Sequence, residues 1–326
     1  MSITVGTFNL NNLFSRFNFE LLADVPGLSE GKVSLEKVRT ITKSLDTAQV
    51  AYKSVALHRK DPAARKLVAE RIARMNVDVL VVQEVEDIDT LRTFVNFELP
   101  TPGMYPYLIL VEGNDPRLID IAVMSKYPIG EVATWQHAVH PKMPNERVFS
   151  RDLLQVQILD KSRTHHLLTL FCNHLKSHYV PWQQDQIKGT KEANLRRQLQ
   201  AETVAKVVHA QLRPNSAFII LGDMNDDVSS PYLHAFTNNS DLNFTNGLKN
   251  PAETGPTPVR ADPAPPTAVW TDRFKPSGKP AQYFLFDQIW LSPHLAPKQT
   301  GAFIDRRTHL GGDGSDHDPA WVVLDL

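Results

Sequence analysis

The sequence predicts an α/β protein folded as a single domain spanning residues 1–326, and three observations predict it. Short apolar runs recur along the whole chain, two of the stretches between them carry helical periodicity, and no linker divides the chain. The 326 residues are 42% apolar, enough for a sizeable core. α/β chains of this length often fold as one unit.

The runs, in order, are "ITVGTFNLNN", "VDVLVVQEVED", "LIDIAVMS", "DLLQVQIL", "HHLLTLFCNHLKS", "AFIILGDMND", "YFLFDQIWLS" and "AWVVLDL". Their length and their Val, Ile and Phe content predict strands buried on at least one face. "DPAARKLVAERIARM" predicts a helix with Leu67, Val68, Ile72 and Met75 on one stripe and Pro62 suited to its start. "KEANLRRQLQAETVAKVVHAQL" predicts a second, with Leu195, Leu199, Val204 and Val207–Val208 on its stripe and Pro214 after its end. Residues 250–268 are too rich in proline for strand or helix and read as a long surface loop. Residues 15–60 fit no single pattern.

Composition narrows the function. Charge is balanced, 35 basic against 36 acidic residues, which argues against a strongly basic nucleic-acid coat but leaves room for a local basic groove. The lone Cys172 cannot form an intrachain disulfide, so a reducing compartment is expected. The N-terminus has no basic n-region, and no apolar stretch approaches the ~18 residues of a membrane span. A cytoplasmic protein without a stable membrane anchor is the expectation; no protein partner can be inferred.

The informative feature is what stands at the strand ends. Asn9, Glu84, Asp120, Asn173–His174, Asp223 with Asn225, Asp287 and Asp316–His317 all lie in or at the ends of apolar runs. Ionised groups there cost free energy unless paired, hydrated or metal-bound. Each alone has an ordinary explanation as a cap, a turn or an ion pair; a shared cleft explains all of them at once. Hard oxygen ligands without a cysteine cluster favour Mg²⁺, or Mn²⁺, over a structural zinc. Histidines beside carboxylates suit proton transfer near neutral pH. Together these groups suit hydrolysis of a phosphate ester.

"TFNLNN", "QEVE", "NHLKSH", "LGDMND", "FDQIW" and "SDHDPAWV", in that order, resemble the endonuclease/exonuclease/phosphatase superfamily, deoxyribonuclease I-like, from residue 3 to residue 323. The resemblance implies a four-layer α/β sandwich: two mixed β-sheets packed face to face with helices outside. It also implies a metal site of Glu84 with Asn9 and Asp316. Asp223 and Asn225 would orient the attacking water and hold the phosphate. His317, paired with Asp287, would be the general base or the polariser of the scissile phosphate. His174 matches the second histidine of the deoxyribonuclease I and sphingomyelinase branches, which the abasic-site branch lacks. Arg117 and Asp120 would lie near the cleft, Asp120 as a partner of His174 or of an arginine. Asn173, Arg151, Lys176 and Arg196, with Arg197, are the further candidates for substrate contact.

Other signals are set aside. "WTDRF", residues 270–274, has the order of an inositol 5-phosphatase signature, but that family's aspartate matches Asp287, so the segment reads as chance. Arg59, Lys60, Arg65, Lys66, Arg71 and Arg74 read as the solvated face of a helix, Asp318 as a turn residue, and Cys172 as a small buried hydrophobe. The expected activity is therefore a divalent-metal-dependent phosphodiesterase or nuclease acting on nucleic acid. The alternatives are a sphingomyelinase-like or inositol-phosphate hydrolase with the same site, and an inactive phosphate-binding scaffold. The scaffold is disfavoured because no motif has lost its acid, amide or imidazole.

Overall fold

The computed structural model describes residues 1–15, 60–181, 183–213, 215–256 and 269–326. Arg59, Pro214 and most of the unassigned 15–60 and Pro-rich 250–268 segments lie outside them. The strands are β1 (Ser2–Leu13), β2 (Val79–Val85), β3 (Tyr107–Val111), β4 (Asp120–Ser125), β5 (Ile129–Thr134), β6 (Val139–His140), β7 (Met143–Arg147), β8 (Leu153–Leu159) and β9 (His166–His174). After these come β10 (Phe218–Asp223), β11 (Thr245–Asn246), β12 (Ala252–Thr254), β13 (Asp272–Phe274), β14 (Gln282–Phe284), β15 (Asp287–Leu291), β16 (Gln299–Asp305) and β17 (Ala320–Asp325). The α-helices are α1 (Pro62–Met75), α2 (Ile88–Phe97), α3 (Gln186–Gln211) and the single turn α4 (His234–Thr237).

Two mixed sheets carry the fold, ordered β12-β16-β17-β1-β2-β4-β3 and β11-β15-β10-β9-β8-β5. Among the described residues, only β1–β2 and β12–β16 in the first, and β9–β10 in the second, run parallel. Three apolar seams make four layers. Between the sheets, Ile3, Val5, Val79 and Val81 meet Leu170, Cys172, Leu221 and Ile289. On the outer face of the first sheet, Phe8, Leu80 and Val82 pack on Val68 and Ile72 of α1 and Leu91 and Phe94 of α2. On the outer face of the second, Phe171, Ile220 and Trp290 pack on Leu199, Val204 and Val208 of α3. The predicted α/β sandwich is the observed fold, and the buried Cys172 belongs to its central seam.

Helix starts follow their caps. Asp61 accepts from the amides of Ala63 and Ala64 and Pro62 opens α1; Asp185 does the same for Ile187 and Lys188 of α3, which begins earlier than its apolar stripe. Leu67 and Leu195, expected on the buried stripes, are exposed. Several strands were not legible: β3 and β5 are sheet edges with only half-buried or exposed residues, and β16 opens on small and polar residues. β12 corrects the reading of 250–268 as wholly irregular, since Ala252–Thr254 pairs in parallel with Phe303–Asp305. "YFLFDQIWLS" is two strands, broken at Leu285–Phe286.

The helix-face reading of the basic residues is also corrected. Lys66 is exposed, but Arg65 is buried against Glu98, and Arg71 is buried against Asp305 and Asp318. Asp318 is not a turn residue; it is fully buried.

Gly222 sets how closely β9 and β10 approach. Its φ is +131°, and a Cβ there would lie 2.0 Å from the Asn173 carbonyl oxygen. Both the conformation and the space require glycine. Gly222→Ala should therefore destabilise the fold by on the order of 2–4 kcal/mol, combining φ strain with overpacking. Chemical denaturation checks this; a loss under about 0.5 kcal/mol, typical of a neutral surface change, would mean the two strands separate freely.

Candidate active site

The site follows from the period-two pattern of the strands. Along β1, Ile3 and Val5 face the inter-sheet seam, and Thr7 and Asn9 continue the same row. The rows of β9 and β10 run Leu170, Cys172, His174 and Ile219, Leu221, Asp223, and that of β15 runs outward from Ile289 to Asp287. Strand directions bring these polar termini to one end of the sandwich: β1 runs with β2, β9 with β10, and β15 is antiparallel, pairing Asp287 with Asp223. The Ser315–Asp318 segment reaches the same end because β17 is antiparallel to β1.

Glu84 joins by an irregularity. Alternation from Leu80 and Val82 would turn it toward the helices. Instead the β2 register shifts between Gln83 and Val85, and Glu84 has φ +62°. This bulge re-aims its side chain into the cleft, where Oε2 accepts from the Asn12 amide at 3.0 Å and Oε1 lies 3.9 Å from His174 Nε2.

Asp223 is the centre. Its Oδ2 accepts from Asn9 Nδ2 at 3.0 Å, across the two sheets, and its Oδ1 from the Asn225 amide at 2.8 Å. His174 Nε2 and His317 Nε2 approach Oδ2 at 3.5 and 3.9 Å. Asn225, at φ +51°, also donates to the Leu175 carbonyl. His317 Nδ1 lies 2.7 Å from Asp287 Oδ2, and the Asp287 amide donates to Thr271 Oγ1 at 3.0 Å.

The two imidazoles differ in charge. Burial lowers the pKa of His317, but Asp287 and Asp223 outweigh it and hold the group well above the ordinary histidine value. His174 is pushed well below that value by burial, then by the charges of Arg151 and His317. Burial lifts Asp223 to about 7, with Asp287 adding to the rise and His317 opposing it. Glu84 is also raised, by burial first and then by the negative charge of Asp316.

Arg117 and Arg151 flank Glu84 and share one carboxylate. Arg117 grips Asp115 with two hydrogen bonds of 3.1 Å, and Arg151 Nε pairs with it at the same distance. Asp115 was not read from the sequence as part of the site. Lys60 was misread: it precedes α1, donates to the Asn11 carbonyl at 2.7 Å, feels the charges of Asp316 and Glu84, and is lowered to about 8 by burial. Lys176 is half-buried nearby, within the field of Arg151 and Arg117. A stacked series of His178, Phe286 and Phe284, with centroid spacings of 5.8 and 5.0 Å, adjoins Asp287.

Four predicted substrate contacts are not brought to the cluster. Asn173 alternates to the face opposite His174 and donates to the Phe171 carbonyl. Arg196 reaches back to Glu146 and the Arg147 and Val148 carbonyls. Among the described residues Asp120 partners neither His174 nor an arginine; it accepts from the Gly113 amide at 2.8 Å. Arg197 is likewise internal, bound to Asp226 and the Lys176 carbonyl. By contrast, the segment read as chance lies against the site: Asp272 bridges in antiparallel register to His317, and Thr271 supports Asp287. Its role comes from pairing across the chain, which its local sequence does not reveal.

Glu84 and Asp316, near enough for the charge of Asp316 to raise the Glu84 carboxyl, are the carboxylates that could hold a hard cation. Among the described residues, no three His, Cys, Asp or Glu side chains converge as a ligand cluster. Asn9 is committed elsewhere, its Oδ1 to the Asn11 amide and its Nδ2 to Asp223.

The fold has known counterparts. A model described as "Endonuclease/Exonuclease/phosphatase family" matches residues 6–317. A Bacteroides vulgatus endonuclease/exonuclease/phosphatase structure superposes with TM-score 0.57 at 15% identity, over 100% of this chain and 99% of that one. An AP endonuclease from Archaeoglobus fulgidus gives 0.55 at 15%, over 99% and 100%. The human Nocturnin catalytic domain gives 0.52 at 13%, over 99% and 94%. These likenesses show the fold. Among curated proteins none matches the chain significantly.

Asp120 yields a test of stability. Burial lifts its carboxyl to about 7, and Glu112, Asp115 and Asp152 add to the rise. Its folded pKa thus exceeds the unfolded value of about 3.9, so the stabilisation is full at low pH and is lost as pH rises toward 7. Asp120→Asn keeps the Gly113 hydrogen bond and removes the titration. The variant should melt above wild type at about pH 8, by on the order of 2–4 °C, and not at about pH 4. Parallel melting curves across that range would exclude Asp120 as the source.

Proposed function

This chain belongs to the endonuclease/exonuclease/phosphatase family, and from that premise we propose that it is a divalent-metal-dependent phosphodiesterase that cleaves nucleic acid. The observation that carries the reading is Asp223, a buried carboxylate set between a charged and a neutral imidazole. Hydrolysis of a phosphodiester forms a bond from water oxygen to phosphorus and breaks one from phosphorus to the leaving oxygen. Asp223, held by Asn9 and the Asn225 amide, is placed to take the water's proton. His317 has its Nδ1 proton committed to Asp287, leaving Nε2–H to polarise the phosphoryl group and protonate the leaving oxygen. His174, kept neutral, can hydrogen-bond a phosphate oxygen or the water.

The donor set fits Mg²⁺ or Mn²⁺. Such ions are commonly bound by one or two carboxylates with the remaining positions left to water and substrate phosphate, and Glu84 with Asp316 supplies two. A bound cation would relieve the charge repulsion that raises Glu84 and would offset charge developing on the phosphoryl oxygens. Asn9 serves this reading by holding Asp223.

The rim favours nucleic acid over a small soluble ester. Arg117, Lys176 and Lys60 supply positive charge, and the half-exposed His178–Phe286–Phe284 series supplies ring faces and edges beside it. Basic and aromatic groups together suit single-stranded nucleic acid with little sequence preference. Arg196 and Arg197 take no part.

Three measurements test this. Plasmid DNA, RNA, bis-(p-nitrophenyl) phosphate, sphingomyelin and inositol phosphates, each with Mg²⁺ or Mn²⁺ and with EDTA, should show salt-sensitive, EDTA-sensitive cleavage of nucleic acid. A preference for sphingomyelin or inositol phosphates would move the substrate class, and inactivity throughout would favour the scaffold. Glu84→Gln should abolish activity with the fold intact and weaken Mn²⁺ binding in calorimetry; unchanged affinity would remove Glu84 from the metal site. His317→Ala and His174→Ala should each lower kcat by ~10²–10⁴, and the double variant by less than the product. Near-wild-type turnover in His174→Ala on every substrate would exclude its catalytic role.

A further inference from the structure

Beneath the Asp316–His317 segment lies a buried ionic cluster that the chemistry above does not use. Its hub is Asp318, fully buried although it directly follows His317. Arg71 Nη2 and Arg307 Nε each donate to its Oδ1 at 3.0 Å, and Arg306 Nη1 lies 3.5 Å from its Oδ2. The guanidinium groups also bind main-chain carbonyls, and those carbonyls belong to the site's own loops. Arg71 donates to the His317 carbonyl at 3.2 Å. Arg307 donates to the Asp316 carbonyl at 2.7 Å and the Thr271 carbonyl at 2.8 Å. Arg306 donates to the Trp270 carbonyl and lies over the Trp270 ring.

The Asp318 amide donates to the same Thr271 carbonyl at 2.8 Å, and Thr271 Oγ1 accepts the Asp287 amide. Both halves of the His317–Asp287 pair are thereby tied to one object, His317 through its own carbonyl and Asp287 through Thr271. The backbone of Asp316 is tied to it as well.

We propose that Asp318 and Arg307 are positioning residues that fix the His317–Asp287 pair and Asp316 relative to the scissile phosphate, an inference that rests on the phosphodiesterase reading. A hydrophobic side chain of similar volume could fill the space behind a strand mouth, and buried ion pairs add little net stability compared with such a filling. What the pairs supply is direction. A guanidinium has five donors in a rigid fork, and here the fork of Arg307 spans Asp318, Asp316 and Thr271 at once. The cluster thus sets the distance between two loops far apart in sequence, a requirement of the chemistry more than of the core.

Arg307→Lys tests this because it keeps the charge and loses the fork. With kcat and KM measured on bis-(p-nitrophenyl) phosphate, kcat should fall by about 10²-fold, the scale of a misplacement near 1 Å, while KM stays within about twofold. The low-field NMR signal of the His317 Nδ1 proton bonded to Asp287 should broaden or disappear. Arg74→Gln is the control: Arg74 pairs with Asp305 at the exposed end of the same cluster and should keep both kcat and the signal. Asp318→Asn should behave as Arg307→Lys; where it fails to fold, Arg307→Lys carries the test. An Arg307→Lys enzyme that melts earlier but retains kcat and the NMR signal would overturn the inference and make the cluster a structural staple. If the wild type hydrolyses none of the phosphate esters, the functional reading fails by itself, and persistence or loss of the NMR signal still decides whether Arg307 positions His317.

Discussion

A carboxylate buried between two sheets must be partnered, and the partnering of Asp223 organises everything around it. A buried charge without hydrogen bonds costs several kcal/mol or takes up a proton. Burial still lifts the Asp223 carboxyl to about 7, and the rest of the cost is offset by an amide side chain from the opposite sheet, an amide beyond the end of its own strand, and two imidazoles. Those partners can meet only if β1 and β10 end at the same edge of the sandwich. Within each sheet a parallel pair gathers the polar ends, β1–β2 setting Asn9 beside Gln83 and β9–β10 setting His174 beside Asp223.

The same carboxylate leaves the two histidines unlike each other. Each ring nitrogen near Asp223 sees the same negative charge, so the difference arises on the far side of each ring. His317 presents Nδ1 to Asp287 and gains a second negative neighbour. His174 Nδ1 has no hydrogen-bond partner among the described residues, and its surroundings contribute Arg151, Arg117 and Lys176. One imidazole is stabilised as the cation and the other as the neutral ring, within reach of one acid. Pairs of titratable groups pushed apart in this way are how one pocket holds acid and base functions together.

Much of this was legible in the sequence, for a physical reason. Strands buried on both faces read as apolar runs, and the polar residue that ends each run is visible because it interrupts the pattern: Asn9, His174, Asp223, Asp287. What stayed hidden depends on pairing between distant segments or on backbone exceptions. Asn173 and His174 are adjacent in the chain and were read together, but alternation puts them on opposite faces. Thr271 and Asp272, within a segment set aside as a chance match, act through pairing across the chain, Asp272 by a bridge to His317 and Thr271 by accepting the Asp287 amide. Arg65 and Arg71 share helical spacing with Lys66 and Arg74, so composition could not say which arginines are buried; their carboxylate partners lie 33 and 234 residues away. Lys60 was grouped with them though it stands before the helix cap. Glu84 was found by its motif, yet alternation alone would have sent it to the wrong face without the bulge.

The overall charge of −1 conceals a local imbalance that bears on what the cleft can receive. Arg117 and Arg151 share the single carboxylate of Asp115, and Lys60 donates to the Asn11 carbonyl. Below the loop, Arg71, Arg306 and Arg307 face Asp305 and Asp318. Arg117 and Arg151 thus stand two to one against Asp115, while Glu84, Asp316 and Asp223 gather carboxylates beside them. A phosphate ester brought to this place meets positive charge at its sides and carboxylates at its centre. If the site takes a metal as proposed, the cation would offset the carboxylates that otherwise repel the anion, so binding of metal and binding of phosphate should each strengthen the other.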